Sequence, residues 1–285
     1  LRGIIVLSGN DACAVIAEAL SPDGTEAGFA RLMTQRAQKM GMTNSTFANS
    51  NGWPQAGHLM SMRDLALLAR RIITDFPQYY PLFAEKEYLF DANEASNRFN
   101  RNPLLGLGIG ADGLKTGHTQ EAGYGLVGSA VQDDRRIIFV LSGMPSAEAR
   151  AEEAEAVVNW AFRQFAQRPL GKAGQRIAQA DVWMGQSKTV GLTLDQDLNV
   201  LLPVLAGDDI KAEVVYTGPI KAPVTAGDTL AELVIQPEGL PETRVPLVAE
   251  TTVAPAGFMA KVSAVALILL ERLNRGPEEE TGAAS

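Results

Sequence analysis

The residues with the clearest chemical potential are Lys115, Thr116 and Gly117, set inside Gly110-Ala-Asp-Gly-Leu-Lys-Thr-Gly-His-Thr119. The stretch reads as a strand bounded by glycines, and alternate side chains of a strand face opposite sides. Lys115 and Gly117 then share one face, while Thr116 turns to the other, near enough to the rim to lend its hydroxyl. A cation and a bare backbone look into one space. With no side chain at Gly117, an extended chain can lie against the strand and pair with its free N–H and C=O groups. That suits a peptide whose end is an anion. The plainer reading is a hairpin edge with a solvated lysine, because three-letter matches arise by chance.

Ser8-Gly9-Asn10, at the junction between one apolar run and the next, gives the lysine a partner. A Ser-x-Asn followed downstream by Lys-Thr-Gly resembles the site of active-site serine enzymes that work on penicillin or on D-alanyl peptides. Ser8 and Asn10 also suit a second role, since both residue types cap helices. Cys13 sits on the expected helix after Asn10 and reads as a small apolar residue rather than a reactive thiol.

The elements that must position these groups follow from apolar spacing. Ala12–Leu20 and Thr25–Met40 read as helices, the second stopped at Gly41. Thr43–His58 reads as an irregular surface loop, in which Trp53 either closes over a cleft or anchors the loop. Ser61-Met-Arg-Asp64 has a capping-box pattern and opens a helix through Leu65–Thr74 that ends at Phe76-Pro77. Tyr88-Leu-Phe90, Gly110–Thr119, Tyr124–Val131 and Arg136–Ser142 read as strands, and Ala147–Phe165 as a long helix. Helices, strands in hairpin order and a closing helix predict an α/β (α+β) layer on an antiparallel sheet.

Composition shifts at Arg168-Pro-Leu-Gly171. Beyond it, short β-branched runs punctuated by Gly, Pro and Asp predict a small all-β domain. The expected division is 1–170, 171–254 and 255–285, the last holding a helix from about Gly257 to Asn274 and a polar tail from Pro277. The apolar part of that helix falls short of the roughly 20 residues a spanning helix needs, so it is expected to lie on a membrane surface or pack on a partner.

Composition narrows the function further. The chain has 285 residues, 46% of them hydrophobic, and a net charge of −8 carried mostly by residues 171–285. No basic face is available, so nucleic acid is not an expected partner. One cysteine permits no intrachain disulfide, and two histidines, His58 and His118, without Cys or carboxylate at ligand spacing give no metal motif. No cofactor is expected. The chain opens with Leu1 inside an apolar run, which reads as a fragment or a processed piece.

Ser8-Gly9-Asn10-Asp11-Ala12-Cys13, the Ser61-Met-Arg-Asp64 helix start, Asn100-Arg101-Asn102 and Asp112-Gly-Leu-Lys-Thr-Gly-His-Thr119 with Ala122-Gly-Tyr124 occur in order through residues 1–166. Together they resemble the low-molecular-mass penicillin-binding proteins, the serine-type D-alanyl-D-alanine carboxypeptidases. The β domain and terminal helix resemble that family's second domain and membrane anchor with weaker motifs. The resemblance implies a penicillin-binding or β-lactamase-like catalytic domain. It also implies a periplasmic enzyme, peripheral on the inner membrane, that removes the terminal D-alanine of peptidoglycan stem pentapeptides and is acylated by β-lactams.

By family position, Ser8 relays a proton and Asn10 binds the substrate's peptide carbonyl. Lys115 holds Ser8 and the carboxylate, and Thr116 and Arg101 bind that carboxylate. Gly117 leaves the strand open, and His118 lends a backbone N–H to the oxyanion hole. Ser-x-x-Lys, which carries nucleophile and base, is absent from these 285 residues, so the piece alone is expected to be inactive. Two rivals are a non-catalytic wall-binding relic and a β-lactamase. Gly-x-Ser-x-Gly does not occur, which leaves an α/β-hydrolase unsupported.

Overall fold

Caps and apolar spacing shape the first half of the chain. The computed structural model describes residues 1–90, 97–205, 210–237 and 239–257. Among these, unit one (Leu1–Arg163) holds α1 (Arg2–Ile5), α2 (Asn10–Leu20), α3 (Glu26–Lys39), α4 (Met62–Asp75) and α5 (Ala147–Gln164, ending at its border). Thr25 caps α3 by accepting from the Gly28 N–H at 3.0 Å, and Ser61 caps α4 by accepting from Asp64 N–H at 3.1 Å. The box at Ser61 closes on one side only. Asp64 is fully buried and accepts instead from Asn44 N–H at 2.9 Å and the Ser45 hydroxyl at 2.7 Å, which ties the preceding loop to α4. Those hydrogen bonds, Ser45 foremost, hold its carboxyl below the ordinary range.

Three antiparallel strands follow, β1 (Ala111–Thr119), β2 (Gly123–Gln132) and β3 (Arg135–Met144), in that order across the sheet. Lys115 stands opposite Val127 and Gly117 opposite Gly125. The two faces of the sheet carry different helices, as the two-residue period requires. Leu126 and Ala130 pack with Ala154 and Val158 of α5, while Leu114 packs with Ala69 of α4 and Tyr80. β1 forms an edge: among the described residues it pairs with β2 alone. Its first half is pinned by Asp112, which accepts from the Tyr80 hydroxyl at 2.9 Å and pairs with Arg136 at 2.8 Å.

The second unit, from Gln164, is built from β4 (Phe165–Gly171), β5 (Arg176–Trp183), β6 (Thr189–Leu194), β7 (Leu198–Pro203), β8 (Lys211–Val215), β9 (Ile220–Lys221), β10 (Thr229–Gln236) and β11 (Thr243–Ala249). Six of these form one sheet in the order β8-β10-β11-β6-β5-β9, antiparallel except for β5 with β9, and β4 pairs with β7. Inward residues alternate along the strands, and Leu192, Leu202, Ile235 and Leu247 are wholly buried in its core.

One sequence expectation needs correction. Tyr88–Phe90 is not a strand: it makes one bridge, Glu87 with Phe99, and a Tyr88 N–H bond to Arg98 O at 2.8 Å. Leu89 and Phe90 are exposed, so no burial extends the pairing. Arg168–Gly171, where the composition shifts, is the end of β4, and Pro169 is tolerated there because the strand pairs with β7 alone among the described residues and bulges between Pro169 and Gly171. The expected helix from about Gly257 to Asn274 and the tail from Pro277 lie outside the described residues. Among the described residues no helix is long and apolar enough to cross a membrane.

Candidate active site

The two motifs meet although 107 residues separate them. Lys115 Nζ donates to Ser8 Oγ at 2.8 Å and to the Thr116 carbonyl at 2.8 Å. Ser8 lies in the short link between α1 and α2 with φ of 59°, the left-handed region that most side chains avoid. A serine held there is over-determined by its surroundings, as site residues often are. Burial foremost, together with the positive charges of Arg101 and Arg150, lowers the Lys115 ammonium to about 8 against an opposing effect from Cys13. Lys115 is therefore no solvated edge charge.

The capping alternative for Ser8 and Asn10 fails. Gly9 is the N-cap of α2 and no side chain closes it. Asn10 is the first residue of that helix, exposed, and its amide makes no hydrogen bond among the described residues. Thr116 is nearly buried, whereas Gly117 is exposed, and a Cβ built on it would meet nothing within 4 Å. His118 is exposed and stacks on Tyr124 with ring centroids 3.8 Å apart. Cys13 is half-buried, and burial raises its thiol.

Arg101 also differs from a surface charge. It donates to the Leu7 carbonyl at 3.1 Å, immediately before Ser8, and to Asn97 Oδ1 at 3.0 Å. Asn102 beside it is buried and donates to Gly113 O at 3.0 Å, so the segment braces β1 as well. Sequence reasoning missed Arg150. It is 7% exposed, lies on α5, donates to Arg101 O at 3.3 Å and has its guanidinium 5.8 Å from the Tyr124 ring centre, with Nε left unpartnered. The signal was present: Arg150, Ala154 and Val158 share one helical stripe, so an arginine occupies a core-facing position.

Lys115, Arg101 and Arg150 thus gather three cations, and none of them forms an ion pair with a carboxylate among the described residues. Such a set has the chemistry to hold an anion and stabilise developing negative charge. Beside it, a cavity of about 660 Å³ runs between α4 and the sheet, lined by Leu68, Ile72, Leu114 and Lys115. Trp53 is 66% exposed on its wall, so it is not a buried loop anchor. Among the described residues no cluster of His, Cys, Asp or Glu could hold a metal.

Residues 1–146 match the family model for D-alanyl-D-alanine carboxypeptidase, and residues 165–255 match that for the penicillin-binding protein 5 C-terminal domain. The chain has the fold of the penicillin-binding proteins: against penicillin binding protein 5 from Haemophilus influenzae it gives a TM-score of 0.75 at 31% identity, covering 89% of this chain and 73% of that one. It belongs to the D-alanyl-D-alanine carboxypeptidase family, peptidase S11. DacC of Escherichia coli, a D-alanyl-D-alanine carboxypeptidase, is 34% identical over 263 residues, which are 92% of this chain and 64% of DacC. The chain therefore spans less than two thirds of that relative. Penicillin-Binding Protein D2 from Listeria monocytogenes, solved in its ampicillin-bound form, matches with a TM-score of 0.51 at 30% identity, covering 56% of this chain and 65% of that one.

Proposed function

We propose that the whole protein is a serine-type D-alanyl-D-alanine carboxypeptidase that trims the terminal D-alanine from peptidoglycan pentapeptides and is acylated by β-lactams. The observation that carries this is the 2.8 Å contact between Lys115 Nζ and Ser8 Oγ, at the open edge of β1. A Ser-x-x-Lys motif from a part of the protein outside these 285 residues supplies nucleophile and base. The serine oxygen bonds to the penultimate alanine's carbonyl carbon, and its proton passes to the lysine.

The resulting oxyanion takes a backbone N–H from His118. Ser8 relays a proton to the departing D-alanine amine, Asn10 holds the substrate's peptide carbonyl, and Lys115, Thr116 and Arg101 bind its carboxylate. Arg150 steadies Arg101 through its 3.3 Å bond. Water then cleaves the ester and returns the serine. Residues 1–170 form part of the catalytic domain and 171–254 the β domain. In the same reading the protein works in the periplasm, held to the inner-membrane surface by an amphipathic helix within 255–285.

Intact mass after incubation with benzylpenicillin tests the proposal. The full-length protein gains one penicilloyl mass, and residues 1–285 alone gain none. Lys115→Ala in the full-length protein slows acylation on the order of a hundredfold, the scale of losing one charge-stabilising group. A full-length protein that takes no adduct and releases no D-alanine overturns the reading.

A further inference from the structure

Ser8 and Lys115 reach their 2.8 Å contact from separate elements, and one short element touches the supports of both. The 3₁₀ turn Tyr80–Ala84, which follows α4, packs on β1 through Tyr80. The Tyr80 hydroxyl donates to Asp112 at 2.9 Å and leaves no room beside Gly113, where a Cβ would lie 2.6 Å from it. The same turn places Leu82 and Phe83 against Ile5, Val6 and Leu7, the residues that lead into Ser8.

Phe83 belongs to both contacts. It is half-buried, packs against the Ile5, Val6 and Leu7 cluster, and also packs on the cluster of Tyr80 and Leu114, with its ring centroid 5.7 Å from that of Tyr80. The chain just beyond the turn adds polar ties. Glu85 pairs with Arg2 of α1 at 2.9 Å, and its carbonyl accepts from Asn100 Nδ2 at 3.0 Å. The Asn100 N–H donates to Lys86 O at 2.8 Å, which fixes the segment whose next residue, Arg101, holds the Leu7 carbonyl.

We propose that the Tyr80–Ala84 turn sets the distance between the two motifs, with Phe83 a positioning residue that keeps Ser8 within reach of Lys115. This rests on the carboxypeptidase reading, in which those two side chains act as a unit. A serine at φ of 59° stays there only while its surroundings require it. Truncating Phe83 removes the ring that packs against both sides. A misplacement of about 1 Å at a reacting group costs on the order of a hundredfold in rate.

The test is a double-mutant cycle on benzylpenicillin acylation, followed by intact mass over time in the full-length protein, at a temperature where the variants are folded. Phe83→Ala slows acylation about ten- to a hundredfold in the wild-type background. In the Ser8→Ala background it slows acylation by less than about threefold, because the contact it maintains is already gone. Phe83→Leu, which refills most of the volume, recovers most of the rate. Tyr80→Phe keeps its ring and loses only the bond to Asp112; it slows acylation about two- to tenfold with the same dependence on Ser8, and it decides the matter where Phe83→Ala does not fold. Val158→Ala, in the core beneath α5, is the control for stability: it lowers the unfolding temperature and leaves acylation at the wild-type rate. Equal slowing with and without Ser8 would mean that the turn acts through general stability, or that Phe83 touches the ligand in the large cavity it lines. That result, or unchanged acylation in Phe83→Ala, overturns the inference and leaves the carboxypeptidase reading intact. A wild-type protein that takes no adduct overturns both.

Discussion

Lys115 is held in a state that costs stability. Its folded pKa of about 8 lies below the ordinary value of 10.5, so the unfolded chain binds the proton more tightly between those limits. Stability attributable to this residue is therefore present above pH 10.5 and lost as pH falls through 8. Lys115→Met should raise the unfolding free energy from urea titration at pH 6, by about 1–2 kcal/mol after solvent screening, with the gain fading toward pH 10.5. The same shift sets activity. In the full-length enzyme kcat/KM should fall above about pH 8, roughly tenfold for each further unit, as the free ammonium is lost. Arg101 is one of the cations lowering that pKa, so Arg101→Gln should carry the alkaline limb to higher pH. A limb that stays fixed would assign it to another group.

At the scale of elements, β1 combines a pinned first half with an open second half. Gly117→Val adds a side chain where the fold leaves room, so thermal unfolding should stay as in wild type. The same side chain occupies the space of an added strand, and β-lactam acylation should slow on the order of a hundredfold, as for a displaced substrate. If unfolding shifts and acylation does not, the edge is structural. The helices flanking the sheet contribute in the usual way. Leu126→Ala, beneath α5, should cost about 2–5 kcal/mol of unit one in denaturant unfolding. Removing the α4 cap by Ser61→Ala should cost about 1 kcal/mol.

For the molecule as a whole, the two units keep separate cores. Leu192, Leu202, Ile235 and Leu247 belong to the β unit alone, and the sites of chemistry belong to unit one. Leu247→Ala should therefore destabilise the β unit by about 2–5 kcal/mol while the acylation rate stays at the wild-type value. Followed by denaturant titration beside acylation kinetics, a loss in both would show that the units share their stability.

The helices α2 to α5 and most of the strands were legible because period and caps are local properties: Thr25, Gly41 and Ser61 mark ends, and apolar steps mark faces. Local cues misread Tyr88–Phe90, where the lack of a partner strand decides. For the site, the residue types and order of Ser8, Asn10, Lys115, Thr116 and Gly117 sufficed to suggest serine chemistry on an acidic peptide end. That Ser8 meets Lys115, that Arg101 holds Leu7 rather than water, and that Arg150 stands behind both were decided by tertiary packing. The physical reason is that desolvation and charge proximity, which bring the lysine to about 8, act between segments brought together only when α5 and the α1–α2 link close around the edge of the sheet.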